Sequence, residues 1–196
     1  MWDPYIEVIK KRFPKALLVF DKFHIVRHLM IAVDEVRKEE AKKFKAKGID
    51  LLKETKYLWL KNPWNLTENQ KVRLSDLEKV NLKTHRAYLL KEAFRRFWDY
   101  TYPAWAERYL CQWFWWATDS RLEPMRQFAW MVRDHQEEIL NYFHLRITNA
   151  TVEGLNNKAK VISHRAYGYR TAETFQLALY HGLGKLPEPK LAHRFV

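Results

Sequence analysis

Cysteine, glycine and long apolar runs are scarce in this sequence, and each scarcity narrows the possible classes of protein. The single cysteine, Cys111, excludes an intrachain disulfide and a multi-cysteine zinc site. Only five glycines in 196 residues favour helices over loop-rich β architecture. No apolar run approaches the roughly 18 residues of a membrane span, and residues 1–4 lack the features of a signal peptide. We therefore expect a cytoplasmic protein with no membrane partner.

Positive charge is what the chain has in excess. Lys and Arg number 35 against 23 Asp and Glu, which gives a formal net charge of +12 and a pI near 9.7. Hydrophobic residues make up 47% of the chain, enough for a buried core. The charge favours a polyanionic partner, and nucleic acid is favoured over a membrane surface because no lipidation signal is present.

Helical periodicity covers most of the chain. Thr67 and Gln70 have the spacing of a capping box, and Asn81 is the expected N-cap of the next helix. Proline residues mark the starts of two later helices. The pattern predicts a central helical bundle. The predicted helices span residues 4–12, 23–47, 51–60, 68–80, 82–97, 103–116, 124–140 and 171–181.

One apolar run, residues 16–20, predicts a strand buried on both faces, and it ends at Asp21. A side chain at the carboxyl end of such a strand is rigidly held and faces a crevice. Asp21 is therefore a candidate Mg²⁺ ligand, and His24 a candidate to bind phosphate or brace that carboxylate. The alternative is that Asp21 only caps the following helix. A zinc site at His24 and His28, four residues apart, is a weaker alternative.

The segment from residue 148 to 170 predicts a helix led by one carboxylate. Glu153 is its only acidic residue, and helical spacing places Asn156, Lys160 and His164 on or beside the same face. This arrangement suits a metal ion held next to a phosphate backbone. The alternative is a solvated basic helix whose acidic first turn suits the helix dipole. The Trp-rich run at residues 113–116 predicts core packing, with stacking on unpaired bases as the alternative.

Two separate motifs resemble those of a known family. They read Val-Phe-Asp-Lys-Phe-His-Ile-Val at residues 19–26 and Thr-Asn-Ala-Thr-Val-Glu-Gly-Leu-Asn-Asn-Lys at residues 148–158. Arg-Ala-Tyr-Gly-Tyr-Arg follows at residues 165–170, and the resemblance extends to the Leu-Pro-Glu-Pro tail. In this order the motifs resemble the C-terminal part of a bacterial insertion-sequence DDE transposase, whose ribonuclease-H-like core contains a helical insertion.

The resemblance implies a mainly α fold, in which a helical bundle accompanies a truncated α/β core with one strand. Residues 1–24 would be the remnant of that core, and residues 25–147 the helical insertion. Residues 148–182 would carry the final core helix and a C-terminal helix, and residues 183–196 an extended tail. The family's two catalytic aspartates would precede Met1, so we expect the C-terminal part of a transposase.

The resemblance also implies function. In this family two Asp and one Glu hold Mg²⁺ or Mn²⁺ for DNA strand cleavage and transfer, and Glu153 matches the glutamate. Asp21 matches either a metal ligand or an accessory residue beside His24. Asn149 and Asn156 would lie near the site. The residues expected to bind phosphates of the transposon ends and target DNA are Lys158, Lys160, His164, Arg165 and Arg170.

Enzymatic activity of this chain is uncertain from its sequence, because the resemblance leaves the triad incomplete. We expect a transposase for DNA recombination that is inactive as this part alone and that forms a homo-oligomer. The alternative function is a non-catalytic helical module for DNA binding or dimerisation. It would bind DNA in a salt-dependent way without regard to Mg²⁺ or Glu153.

Overall fold

The computed structural model describes residues 3–145 and 150–184, and these residues contain helices but no strand. The prediction of a mainly α protein is confirmed. None of the helices in these two ranges is long and apolar enough to cross a membrane. A 3₁₀ turn lies at Pro63–Asn65. The α-helices are α1 (Asp3–Arg12), α2 (Lys22–Lys45), α3 (Lys56–Leu60), α4 (Glu68–Glu78), α5 (Lys83–Phe97), α6 (Pro103–Asp119), α7 (Glu123–Asp134), α8 (Gln136–Leu145), α9 (Ala150–Arg165) and α10 (Ala172–Leu183).

The chain divides into two compact units, Met1–Ile147 and Thr148–Val196. In the first unit α2 packs against α5 and α7, and α6 packs against the same two helices. Aromatic rings fill the space between them. The ring of Phe94 lies 4.7 Å from that of Trp113 and 5.3 Å from that of Phe128, both edge-on. Such edge-to-face pairs add to the hydrophobic gain from burying large rings.

Local signals explain several helix ends. The capping box is confirmed: the Thr67 side chain accepts from the Gln70 N–H, and the Gln70 side chain accepts from the Thr67 N–H. The expected cap at Asn81 is wrong. Helix α5 begins at Lys83, and the carboxylate of Glu40 on α2 accepts the N–H groups of its first residues. A side chain distant in sequence has taken the capping role.

The structure corrects the predicted strand at residues 16–20. These residues form no β pairing and lie against α8 instead. The Phe20 N–H donates to the Glu138 carbonyl at 3.0 Å, and the Leu18 carbonyl accepts from Asn141 Nδ2 at 3.0 Å. Helix α8 therefore satisfies backbone groups that a strand would pair in a sheet.

Two predicted helices also differ from the structure. The helix predicted at residues 124–140 is interrupted, because α7 ends at Asp134 and His135 leaves the helical conformation (φ −117°, ψ 25°) before α8 begins. The helix predicted at residues 51–60 is shortened to α3. Glu54, just before α3, has a positive φ of 58°, which no regular helix contains.

The second unit pairs α9 with α10. The rings of Tyr169 and Phe175 lie 5.3 Å apart where the chain turns between the two helices. A Cβ placed on Gly182, near the end of α10, would lie 2.5 Å from Ile162 Cδ1 in the last turn of α9. The absence of a side chain at Gly182 therefore permits the close approach of α10 to α9.

Candidate functional site

Asp21 is held at the start of α2, and one of its oxygens is left without a protein partner. Its Oδ1 accepts the Phe23 N–H at 2.6 Å, so the predicted capping role is confirmed. The side chain is only 6% exposed. Its Oδ2 is buried and has no hydrogen-bond partner among the described residues. Capping therefore uses one oxygen and leaves the other available to accept from a proton donor or a cation.

The two histidines of α2 follow on its exposed side. His24 Nδ1 lies 4.0 Å from Asp21 Oδ1, and the His24 side chain is 59% exposed. Burial lowers the pKa of His28, and the neighbouring Arg27 and His24 lower it further. Residues 3–145 and 150–184 contain no group of three or more His, Cys, Asp or Glu side chains that could hold a metal. The histidine pair thus has no third protein ligand in that part of the chain.

Helix α9 presents the predicted functional residues to solvent. Glu153 lies in its first turn, and its side chain is exposed. No ion pair involving Glu153 is found within the described ranges. Asn149 lies outside the described residues. The predicted positions that are exposed in the second unit are Asn156, Lys158, Lys160, His164, Arg165 and Arg170.

The charge of this unit is positive along the same helix. Between residues 150 and 184 the sequence has four Lys or Arg and two Glu, one of which leads each helix. The spacing of Glu153, Asn156, Asn157 and Lys160 places carboxylate, amides and ammonium on one side of α9. A carboxylate can bind a hard cation, and the amide and ammonium groups can donate to phosphate oxygens.

The predicted site residues did not include two residues of α8 that bind the backbone just before Asp21. Asn141 is buried and donates to the Leu18 carbonyl, and the carbonyl of Glu138 receives the Phe20 N–H. The signal was available in the sequence: Asn141 is a lone amide in the apolar run of residues 139–143. A buried amide in such a run normally has a specific hydrogen-bond partner.

Comparison with known proteins identifies the family. The model of the ISL3 family of DDE transposases, described as Transposase, matches residues 1–179. The chain belongs to this family. The predicted resemblance to bacterial insertion-sequence DDE transposases is confirmed.

Curated relatives agree with this assignment. The chain is 33% identical over 182 residues to the transposase for insertion sequence element IS1001 of Bordetella parapertussis. The aligned region covers 91% of this chain and 45% of that relative. It is 25% identical over 194 residues to the transposase for IS1557 of Mycobacterium tuberculosis, covering 87% of this chain and 44% of the relative. The chain thus spans slightly less than half the length of these relatives. No solved structure matches it.

Two carboxylates of this chain carry oxygens of the kind that divalent ions prefer. Family membership implies such an ion, and hard cations of this kind prefer carboxylate oxygens. Asp21 offers its unpartnered Oδ2 in the first unit. Glu153 offers an exposed carboxylate in the second. Each residue therefore has an oxygen that is free, among the described residues, to bind a cation.

The Trp-rich run divides between the core and the surface of α6. Trp113 and Phe114 are buried, which confirms the predicted core packing at these positions. The prediction is wrong for Trp115, which is 67% exposed, and for Trp116, which is exposed as well. Trp105 is exposed as well, and its spacing of three helical turns places it on the same side of α6 as Trp116. A continuous Trp-rich run therefore cannot lie wholly on the buried side of one helix.

Proposed function

We propose that this chain forms part of the catalytic domain of a transposase that moves DNA by divalent-metal-dependent phosphodiester cleavage and strand transfer. Membership of the transposase family supports the activity class. The observation that carries the proposal is the exposed carboxylate of Glu153 in the first turn of α9, followed by amides and cations on one side of that helix. DNA, as transposon ends and target, is the proposed substrate.

The residues take separate roles in this proposal. Glu153 supplies a carboxylate oxygen to the metal, and Asp21 supplies another or acts as an accessory residue next to His24. Mg²⁺ or Mn²⁺, when bound, would stabilise the charge that develops on the attacking and leaving oxygens of the phosphodiester. Asn149 and Asn156 donate hydrogen bonds close to that centre. The residues that bind DNA phosphates and fix the register of the strand are Lys158, Lys160, His164, Arg165 and Arg170.

We also propose which segments of the chain belong to the core, the insertion and the tail. Residues 1–24 and 148–182 belong to a ribonuclease-H-like core that residues 25–147 interrupt as a helical insertion, and residues 183–196 form the tail. Residues 16–20 lie in the first of these two core segments. Their apolar sequence, which ends at Asp21, supports this assignment.

On its own the chain is expected to be inactive, and the longer protein to act as a homo-oligomer. The chain covers less than half of its curated relatives, and the resemblance assigns it the family's glutamate without both aspartates. Incubation with Mn²⁺ and transposon-end DNA should therefore give no nicked product. Robust nicking that is lost in Glu153→Gln would contradict this expectation and would place a complete catalytic centre in the chain.

A calorimetric titration with Mn²⁺ tests the metal assignment. We expect wild-type protein to release heat of binding that Glu153→Gln abolishes, because the neutral amide is a much poorer ligand. Glu173→Gln is the matched control, since Glu173 is an exposed glutamate in the first turn of α10. Equal binding by all three proteins, with DNA binding unchanged, would instead support the non-catalytic DNA-binding module.

A further inference from the structure

Helix α9 ends in a tight turn that two backbone hydrogen bonds close. The Tyr167 N–H donates to the His164 carbonyl at 3.1 Å, and the Gly168 N–H donates to the Ser163 carbonyl at 2.9 Å. These two bonds are the pair that defines a Schellman motif. The motif requires a left-handed residue at the position that Tyr167 occupies.

Tyr167 is an unfavourable residue for that position. Its φ is +51°, and the following Gly168 has a φ of +95°. Glycine normally occupies the left-handed position, because a Cβ there approaches a carbonyl oxygen. The chain places a tyrosine in the strained position and a glycine directly after it. Strained backbone positions of this kind cluster at functional sites, which points to a use for the Tyr167 side chain.

That use is not packing within the described structure. The Tyr167 side chain is 100% exposed. Tyr169, two residues later, is partly buried and packs its ring on Phe175. The turn therefore anchors one aromatic ring against α10 and projects the other into solvent. The exposed Tyr167 ring therefore keeps its conformational freedom and contributes no packing energy to the core.

Cations stand on both sides of the projecting ring in the sequence. Arg165 ends α9, Arg170 precedes α10, and both are exposed. A base inside a duplex is already stacked on both faces, whereas an unpaired base can stack on an aromatic side chain while its phosphates bind arginine. We propose that Tyr167 stacks on an unpaired base of the DNA strand whose phosphates Arg165 and Arg170 bind. This inference rests on the proposed function, because it takes DNA as the ligand.

Two DNA molecules test the inference with the full chain. One is a duplex that contains a single unpaired 2-aminopurine, whose fluorescence falls when the base stacks, and the other is the same duplex fully paired. We expect wild-type protein to quench the unpaired base and Tyr167→Phe to do the same. Tyr167→Gly should lose the quenching and bind the unpaired-base DNA about 5- to 100-fold more weakly. Its affinity for the paired duplex should not change.

Two further variants separate binding from folding. Tyr167→Gly removes the backbone strain, so it should melt at a higher temperature than wild type even as it binds more weakly. Tyr180→Ala removes an exposed tyrosine from regular helix α10 and should leave quenching intact. Equal quenching and affinity in wild type and Tyr167→Gly would overturn this inference alone. A wild-type chain that binds neither DNA would overturn the proposed function as well.

Discussion

The carboxylate of Glu40 on α2 binds both hydrogen-bond donors of Thr84 at the start of α5. Glu40 Oε2 accepts the backbone N–H and the hydroxyl of Thr84, each at 2.7 Å, while Oε1 accepts the Lys83 N–H at 2.8 Å. Both Glu40 and Thr84 are buried. A negative charge at this position also suits the positive end of the helix dipole. One side chain therefore fixes the start of α5 to the middle of the bundle.

Removing this carboxylate should destabilise the first unit. Glu40→Ala leaves two buried donors and one partly buried donor without a partner, so we expect the free energy of unfolding to fall by about 2–4 kcal/mol. Glu40→Gln keeps one acceptor oxygen and should cost less. Glu39→Ala, at the exposed neighbouring position, is the control and should change stability by less than about 0.5 kcal/mol. Urea unfolding followed by circular dichroism measures all three, and equal stabilities would refute the capping role.

A second buried carboxylate makes stability depend on pH. Glu138 on α8 accepts a hydrogen bond from Lys10 Nζ at 2.7 Å. Burial is the largest single influence and would raise the pKa of Glu138, but the Lys10 hydrogen bond, a backbone hydrogen bond and the charges of Lys10 and His135 together outweigh it, and the pKa lies below its ordinary value of 4.5. A lowered pKa in the folded state stabilises the fold above the ordinary value. That contribution is lost as the pH falls through the folded pKa.

Glu138→Gln should therefore be less stable than wild type at pH 7, and the difference should shrink in acid below the ordinary pKa of 4.5. Urea unfolding at a series of pH values between neutrality and strong acid measures the difference. Glu137→Gln changes an exposed neighbour and should show no such trend. A difference that grows as the pH falls would show that the pKa of Glu138 is raised rather than lowered.

The close approach of α10 to α9 predicts a coupling between Gly182 and Ile162. In the wild-type background Gly182→Ala should change stability by less than about 0.5 kcal/mol, because the gain from alanine in the helix is offset by the cost of moving Ile162 Cδ1 away from the new Cβ. Ile162→Val removes that methyl group. In the Ile162→Val background Gly182→Ala should stabilise by about 0.5–1 kcal/mol, since alanine favours the helix. Hydrogen exchange of amides in α9 and α10 measures both effects, and simple additivity would contradict the contact.

Local signals in the sequence predicted where helices begin better than they predicted which distant residues those helices contact. The capping box at Thr67 and the cap at Asp21 depend on neighbours within three residues, and both are present in the structure. The strand at residues 16–20 could not be decided locally, because an apolar run is buried equally well against a helix. Its backbone partners lie more than 100 residues away, on α8. The Glu40 cap was unpredictable for the same reason, since it crosses 44 residues.

Some features of the candidate site could likewise be predicted from local sequence, and others depend on distant contacts. Helical spacing predicts that Glu153, Asn156 and Lys160 share one side of α9, and all three are exposed residues of that helix. The burial of Asp21 Oδ2 without a hydrogen-bond partner among the described residues could not be predicted, because it depends on how the surrounding elements pack. Trp115 was assigned to the core because a run of aromatics does not reveal which ring points outward until the helix phase is fixed.

The cations of α9 should contribute to DNA affinity through phosphate contacts. In the double variant Lys158→Gln/Lys160→Gln, the slope of log affinity against log salt should decrease by about 2, because each duplex phosphate contact contributes about 0.9. Lys71→Gln/Lys79→Gln is the matched control. It removes two lysines of the α4 region that already pair with Glu68 and Asp76. Fluorescence anisotropy at several salt concentrations measures the slopes, and equal decreases in both variants would assign binding to net charge alone.

Glu153 is the proposed metal ligand in the first turn of the proposed DNA-binding helix α9. Paramagnetic broadening of backbone amide signals by Mn²⁺ locates the ion directly in solution. We predict that broadening is strongest around residues 153–157 and disappears from that segment in Glu153→Gln, while Glu173→Gln retains it. Broadening that is absent from the start of α9, or that persists there without the carboxylate, would contradict the account.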